Sequence, residues 1–78
     1  MKTTRYFLAT RQRSDRRDIL DEWIARFVRE PQKEVIQSDG RIRRWASISE
    51  ADGRVLRVIL LADGEAVHNA FFDRSFRS

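Results

Sequence analysis

The chain has 78 residues, no cysteine, and sixteen basic side chains against twelve acidic ones. A length of this order makes one domain with an economical core. The absence of cysteine excludes a disulfide scaffold and any thiolate metal site. With 41% hydrophobic and 36% charged residues, the composition is that of a folded domain with a charged surface, not of a disordered tail.

Residues 5–10 read as a first strand, with Tyr6 and Leu8 alternating against Phe7 and Ala9. Arg11, Arg13, Arg16 and Arg17 then form a basic cluster ahead of a helix expected over residues 15–30. Ile19, Leu20, Trp23, Ile24, Phe27 and Val28 recur at helical spacing and fall within half the helix circumference. Ser14 or Asp15 can cap its start, Glu22, Arg26 and Glu30 offer i,i+4 ion pairs, and Pro31 ends it. All three glycines follow an aspartate, at Asp39-Gly40, Asp52-Gly53 and Asp63-Gly64. Asp-Gly between apolar runs signals a tight hairpin, so residues 34–72 are expected to be a four-stranded antiparallel meander. Its strands fall near 34–38, 41–49, 54–62 and 65–72, followed by a short tail over 73–78. The expected fold is α+β: a single helix packed on one face of a mostly antiparallel sheet, in the order β-α-β-β-β-β.

Two-residue turns fix a register. Leu61 then pairs with Ala66, Ile59 with His68, Arg57 with Ala70, and Ala46 lies opposite Ile59. Trp45, Ser47, Leu56, Val58, Leu60, Val67, Asn69 and Phe71 share the face assigned to the helix. Arg44, Ala46, Ile48, Val55, Arg57, Ile59, Leu61, His68, Ala70 and Phe72 share the other. A one-residue slip at the second turn exchanges these faces for the earlier strands. Arg57 thus interrupts an apolar strand, with His68 as its diagonal neighbour. Such a face is too polar for a dry core and too apolar for plain solvent surface, which points to a groove or docking face. Trp23 and Trp45 read as core residues rather than base-stacking platforms, and Asp73-Arg74 as a solvated end or a local ion pair.

Fourteen of the basic residues are arginine, whose planar fork grips phosphate at two points. A codon-biased genome gives the same excess, so position must separate function from composition. There is no glycine-rich phosphate loop, no cluster with metal-ligand spacing, no nucleophile elbow, and only one histidine. No metal or cofactor is therefore expected. The longest apolar run, Val58-Ile59-Leu60-Leu61-Ala62, is far short of a membrane span, and the first residues lack a signal-peptide core. A cytoplasmic location without membrane association is the expectation.

The stretch from Glu30-Pro31 through Gly40-Arg41-Ile42-Arg43, and then Gly53-Arg54-Val55-Leu56-Arg57-Val58-Ile59-Leu60, resembles small bacterial proteins of the RelE/BrnT toxin superfamily, including its single-helix relatives. The resemblance covers roughly residues 15–73. It implies a metal-independent ribonuclease, acting on free RNA or on the ribosome through basic side chains on the sheet face away from the helix, and neutralised by an antitoxin. Arg16-Arg17-Asp18-Ile19 stands where BrnT has Lys-His-Gly-Ile. Val67-His68-Asn69-Ala70-Phe71-Phe72 stands where that family has a closing Ile-Ser-Ala-Arg strand. On this reading Arg57 holds the scissile phosphate, Arg44 helps to neutralise transition-state charge, and His68 is the general acid or base. The alternatives are a non-enzymatic interaction or homodimerisation module on the same face, and RNA binding without cleavage. The last would use Arg11, Arg13, Arg17, Arg41, Arg43 and Arg44.

Overall fold

Three Asp-Gly corners and four β-rich runs produce the expected meander. The computed structural model describes residues 1–76. Four antiparallel strands, β1 (Lys33–Ile36), β2 (Ile42–Ile48), β3 (Arg54–Leu60) and β4 (Val67–Phe72), lie side by side in sequence order. Two helices precede them, α1 (Arg5–Thr10) and α2 (Asp21–Arg29), and a 3-10 turn (Ser49–Ala51) links β2 to β3.

The expectation of a strand at residues 5–10 is overturned. Thr4 caps α1, its hydroxyl accepting from the Phe7 N–H at 3.1 Å. Phe7 and Thr10 are buried, three residues apart, while Tyr6 and Leu8 are about half exposed. That is the period of a helix, and six residues are too few for an alternating reading to be distinguished from it by pattern alone. The main helix is also shorter than expected: residues 11–19 form a chain of turns, and α2 starts after Leu20 without a side-chain cap. Asp21 and Glu22 in its first turn suit the positive end of the helix dipole. It ends where Pro31 requires. Arg26 reaches across to Glu50 of the 3-10 turn at 3.0 Å, not along the helix to Glu22 or Glu30.

Register decides which residues face the helices, and here too the structure corrects the sequence reading. Of the three Asp-Gly corners, only Asp52 (φ 58°) and Gly53 (φ 75°) both take the left-handed conformation. Even there the 3-10 turn lengthens the connection, which closes through the Gly53 N–H on the Ile48 carbonyl. Ala46 therefore opposes Leu56 and Ile48 opposes Arg54, an odd shift that exchanges the faces of β2. On β4 the Leu61–Ala66 closure forms as expected. The register then slips between Ile59 and Leu60, so that Leu60 opposes Val67 but Ile59 opposes Asn69. His68 is the extra residue of a β-bulge, and everything beyond it changes face.

The core accordingly gathers Ala46, Ile48, Leu56, Val58, Leu60, Val67 and Ala70 from the sheet, against Phe7 of α1, Ile19, and Trp23, Ile24 and Phe27 of α2. Both helices lie on this one side. Trp45 and Phe71, expected there, are on the opposite face with Arg57.

Candidate nucleic-acid interface on the open sheet face

The face away from the helices is built in cross-strand rows. Lys33, Trp45, Arg57 and Phe71 form one; Val35, Arg43, Ile59 and Asn69 form the next. In the first row cations and rings alternate. The Arg57 guanidinium carbon lies 5.3 Å from the centroids of both Trp45 and Phe71. Arg16, arriving from the turn before α2, stands 5.2 Å from the other side of that row at Phe71 and donates to Asn69 Oδ1 at 2.6 Å. Each contact is of the cation–π kind, worth roughly 0.5–2 kcal/mol depending on desolvation. An arginine among apolar neighbours is thus held by ring faces rather than left to snorkel.

Arg43 sits diagonally beside Arg57. The Nε atoms of Arg16, Arg43 and Arg57 are buried without a hydrogen-bond partner. Among the described residues Arg57 has one ion-pair partner, Asp73, at 3.5 Å. Burial, and then the neighbouring Arg43 charge, lower the Arg57 pKa, with Asp73 opposing. Two half-buried guanidiniums lie side by side and Asp73 pairs with Arg57 alone of the two, which leaves a local excess of positive charge. Asp73 extends the β4 register, its N–H donating to the Val55 carbonyl at 2.8 Å. Its carboxylate accepts from the Trp45 indole N–H at 3.0 Å. That bond, and those from Ser75, hold its pKa below the usual carboxylate value despite burial.

The other residues singled out by sequence are distributed differently. Arg57 and His68 are not brought together: Arg57 contacts Trp45, Phe71 and Asp73, whereas the bulge directs His68 to the N-terminal segment. There it stacks on Tyr6 at 4.7 Å and lies 3.0 Å from Thr4 Oγ1. Burial, and then Arg41, lower its pKa. Arg44 is on the helix side of β2. It pairs with Glu34 at 2.8 Å and donates to the Val28 carbonyl in the last turn of α2, a cation at the negative end of a helix dipole. Arg41 pairs loosely with Asp39 at 3.8 Å. Arg11 pairs with Asp21 and lies over Phe7, Arg13 pairs with Asp15, and Arg17 is exposed. The basic cluster is therefore largely neutralised by nearby acids.

Sequence reasoning missed Trp45, Phe71, Asp73 and Arg16 as parts of this face. The alternation Arg43-x-Trp45 and the spacing Phe71-x-Asp73 carried the signal, but only the correct register puts them beside Arg57.

At the end of the sheet a cleft of about 580 Å³ is lined by Asp15, Asp18, Arg54, Phe72, Arg74 and neighbouring residues. Charges of both signs meet there. No cluster of three or more histidine, cysteine or carboxylate side chains able to hold a metal ion occurs among the described residues, and no helix among them is long and apolar enough to cross a membrane. No protein-family model matches the chain, and neither the curated proteins nor the solved structures provide a match.

Proposed function

We propose that the protein binds single-stranded RNA on its open sheet face, without cleaving it. The observation that carries this reading is the row in which Arg57 is sandwiched between Trp45 and Phe71, with Arg43 alongside and Asp73 as its one ion-pair partner among the described residues. Single-stranded nucleic acid is recognised by cations that track phosphates and ring faces on which bases stack. A row alternating the two brings both together at the spacing of neighbouring strands, ~5 Å, with Trp45 only 7% exposed where Phe76 lies against it. The net charge of +4 favours a polyanion at long range.

Binding fits this face better than catalysis. The proton-transfer role assigned to His68 requires it beside Arg57, whereas it is engaged by Thr4 and Tyr6. Asp73, which does touch Arg57, is held ionised by its hydrogen bonds and is a weak base near neutrality. The RelE/BrnT resemblance nevertheless implies cleavage on this same face, and the test distinguishes the two.

Fluorescence anisotropy with a labelled oligouridine, in EDTA, should show binding whose affinity falls steeply with salt. The logarithmic slope is ~0.7 per phosphate neutralised on a single strand. Arg43→Ala and Arg57→Ala should each weaken binding and each reduce that slope by ~0.7, while Arg29→Ala on the exposed side of α2 leaves it unchanged. The RNA should be recovered intact. Binding unaffected by both face variants, or no binding at low salt, overturns the proposal. Cleavage lost in Arg57→Ala replaces it with the ribonuclease.

A further inference from the structure

The open face is not bare, and what covers it has the chemistry of a ligand. Beyond β4 the chain turns at Asp73, whose Oδ1 accepts from the Ser75 N–H at 2.9 Å and from the Ser75 hydroxyl at 2.7 Å. This local turn brings Phe76 back over the sheet, 5.7 Å from the Trp45 ring at a tilt of 36°. Lys33 Nζ approaches the same phenyl ring at 5.6 Å. Asp73 Oδ2 meanwhile bridges the Trp45 indole N–H, at 3.0 Å, and Arg57, at 3.5 Å. An anion on Arg57 and a ring against Trp45 are the two things a nucleotide would present there, as phosphate and base.

We infer that residues 73–76 act as a built-in competitor, a strap that occupies the nucleic-acid face and is displaced when RNA binds. The inference rests on the RNA-binding reading of the same face.

The contacts are of the right strength for such a device. A tilted ring pair adds only modestly to area burial, and the largely buried Arg57–Asp73 pair can be given up only to another anion that takes its place on Arg57. The Asp73 backbone stays anchored on β3 through its N–H to the Val55 carbonyl, so what RNA displaces is the Asp73 carboxylate from Arg57 and the Phe76 ring from Trp45. Lifting the strap would leave the cations of the row facing outwards, with buried Nε atoms on Arg43 and Arg57 still unpaired. A phosphodiester offers several acceptor oxygens there, where Asp73 offers one carboxylate already shared with Trp45 and Ser75. A ligand that must displace a strap pays for it in apparent affinity, in proportion to the fraction of molecules already open.

Phe76→Ala is the cleanest test, because it weakens the strap without changing charge. If the strap is closed about nine-tenths of the time, the variant should bind oligouridine about ten-fold tighter than the unaltered chain. Asp73→Asn combined with Phe76→Ala should bind at least as tightly. Titration followed through the indole N–H resonances should move the Trp45 signal toward its position in the doubly substituted protein, leaving Trp23 in the core unmoved. Binding by Phe76→Ala that is equal to or weaker than that of the unaltered chain overturns the strap and leaves RNA binding intact; binding that leaves the Trp45 resonance unshifted places the RNA elsewhere and overturns both. Binding by neither protein overturns the RNA reading, and the strap as its regulator falls with it. Far-ultraviolet circular dichroism of each variant confirms that loss of binding is not loss of fold.

Discussion

His68 illustrates how one residue's place in a strand changes its chemistry. On a regular ladder it would share a face with Arg57; as the extra residue of a bulge it turns to Thr4 and Tyr6 instead. The Thr4 hydroxyl accepts from the Phe7 N–H and can donate its own proton to an unprotonated Nδ1. Neutral His68 therefore supports the cap of α1. Burial, and then the Arg41 charge, lower its pKa below the ordinary 6.5. The unfolded chain consequently takes up a proton at a higher pH than the folded one. This contribution to stability is complete above pH ~6.5 and declines as the pH falls through that value toward the folded pKa. Urea midpoints measured between pH 5 and 7.5 should rise with pH in the unaltered protein and rise less in His68→Gln. Equal slopes in the two proteins would remove His68 from this role.

At the scale of elements, the polar ties join pieces distant in the chain. Lys2 pairs with Asp63 at 2.8 Å, fixing the N-terminal segment to the turn before β4. The Asp63 side chain also accepts from the Glu65 and Ala66 N–H groups, which organise that turn. Arg26 and Glu50 tie α2 to the connection between β2 and β3. The Arg26 hydrogen bond, with smaller contributions from a backbone N–H and Ser49, lowers the Glu50 pKa from 4.5 to about 2. A depressed carboxylate stabilises the fold above its ordinary pKa and loses that contribution as the pH falls through the folded value. Glu50→Gln should therefore lower the thermal midpoint at pH 7 and have almost no effect at pH 2, as followed by circular dichroism. A deficit of the same size at both pH values would show that packing, not charge, is what the substitution disturbs.

The same scale shows what the sequence made legible. The meander was readable because apolar strands and Asp-Gly corners repeat the same local message, and α2 because its apolar stripe is long enough to have a period. The capped turn at Thr4 was not, since six residues suit strand and helix alike. Nor were the faces. Asp63-Gly64 and Asp39-Gly40 mark where the chain reverses, yet Gly64 and Gly40 alone take positive φ there. Neither is therefore the type I′ turn assumed, although at Asp63-Gly64 the expected Leu61–Ala66 closure still forms. Register depends on loop length and on the bulge at His68, and a single extra residue exchanges sides. Arg57 stays on the face assigned to it because the strand that carries it supplied the reference. Trp45 and Phe71 join it, and Arg44 leaves, because β2 and β4 are placed relative to β3.

For the whole molecule, the consequence is a sheet with two unlike sides and one core. Leu56, Val58, Leu60 and Val67 are fully buried and contact helix residues whose sequence positions precede the entire meander. A chain of this size is stabilised by about 4–12 kcal/mol in total. Removing one large side chain from such a core costs about 2–5 kcal/mol, through lost transfer energy and the cavity left behind. Leu56→Ala should thus forfeit a large share of the stability, and it should do so on both sides of the sheet at once. The two tryptophans make this measurable, since Trp23 is packed in the core and Trp45 lies on the opposite face against Arg57 and Phe76. In urea, tryptophan fluorescence and far-ultraviolet circular dichroism should shift together to a lower midpoint in Leu56→Ala, with the slope of each transition unchanged. If Trp45 instead loses its environment before the secondary structure melts, the open face is a separate cooperative unit. Its row of rings and cations would then be stabilised by its own contacts and the strap, independently of the core beneath.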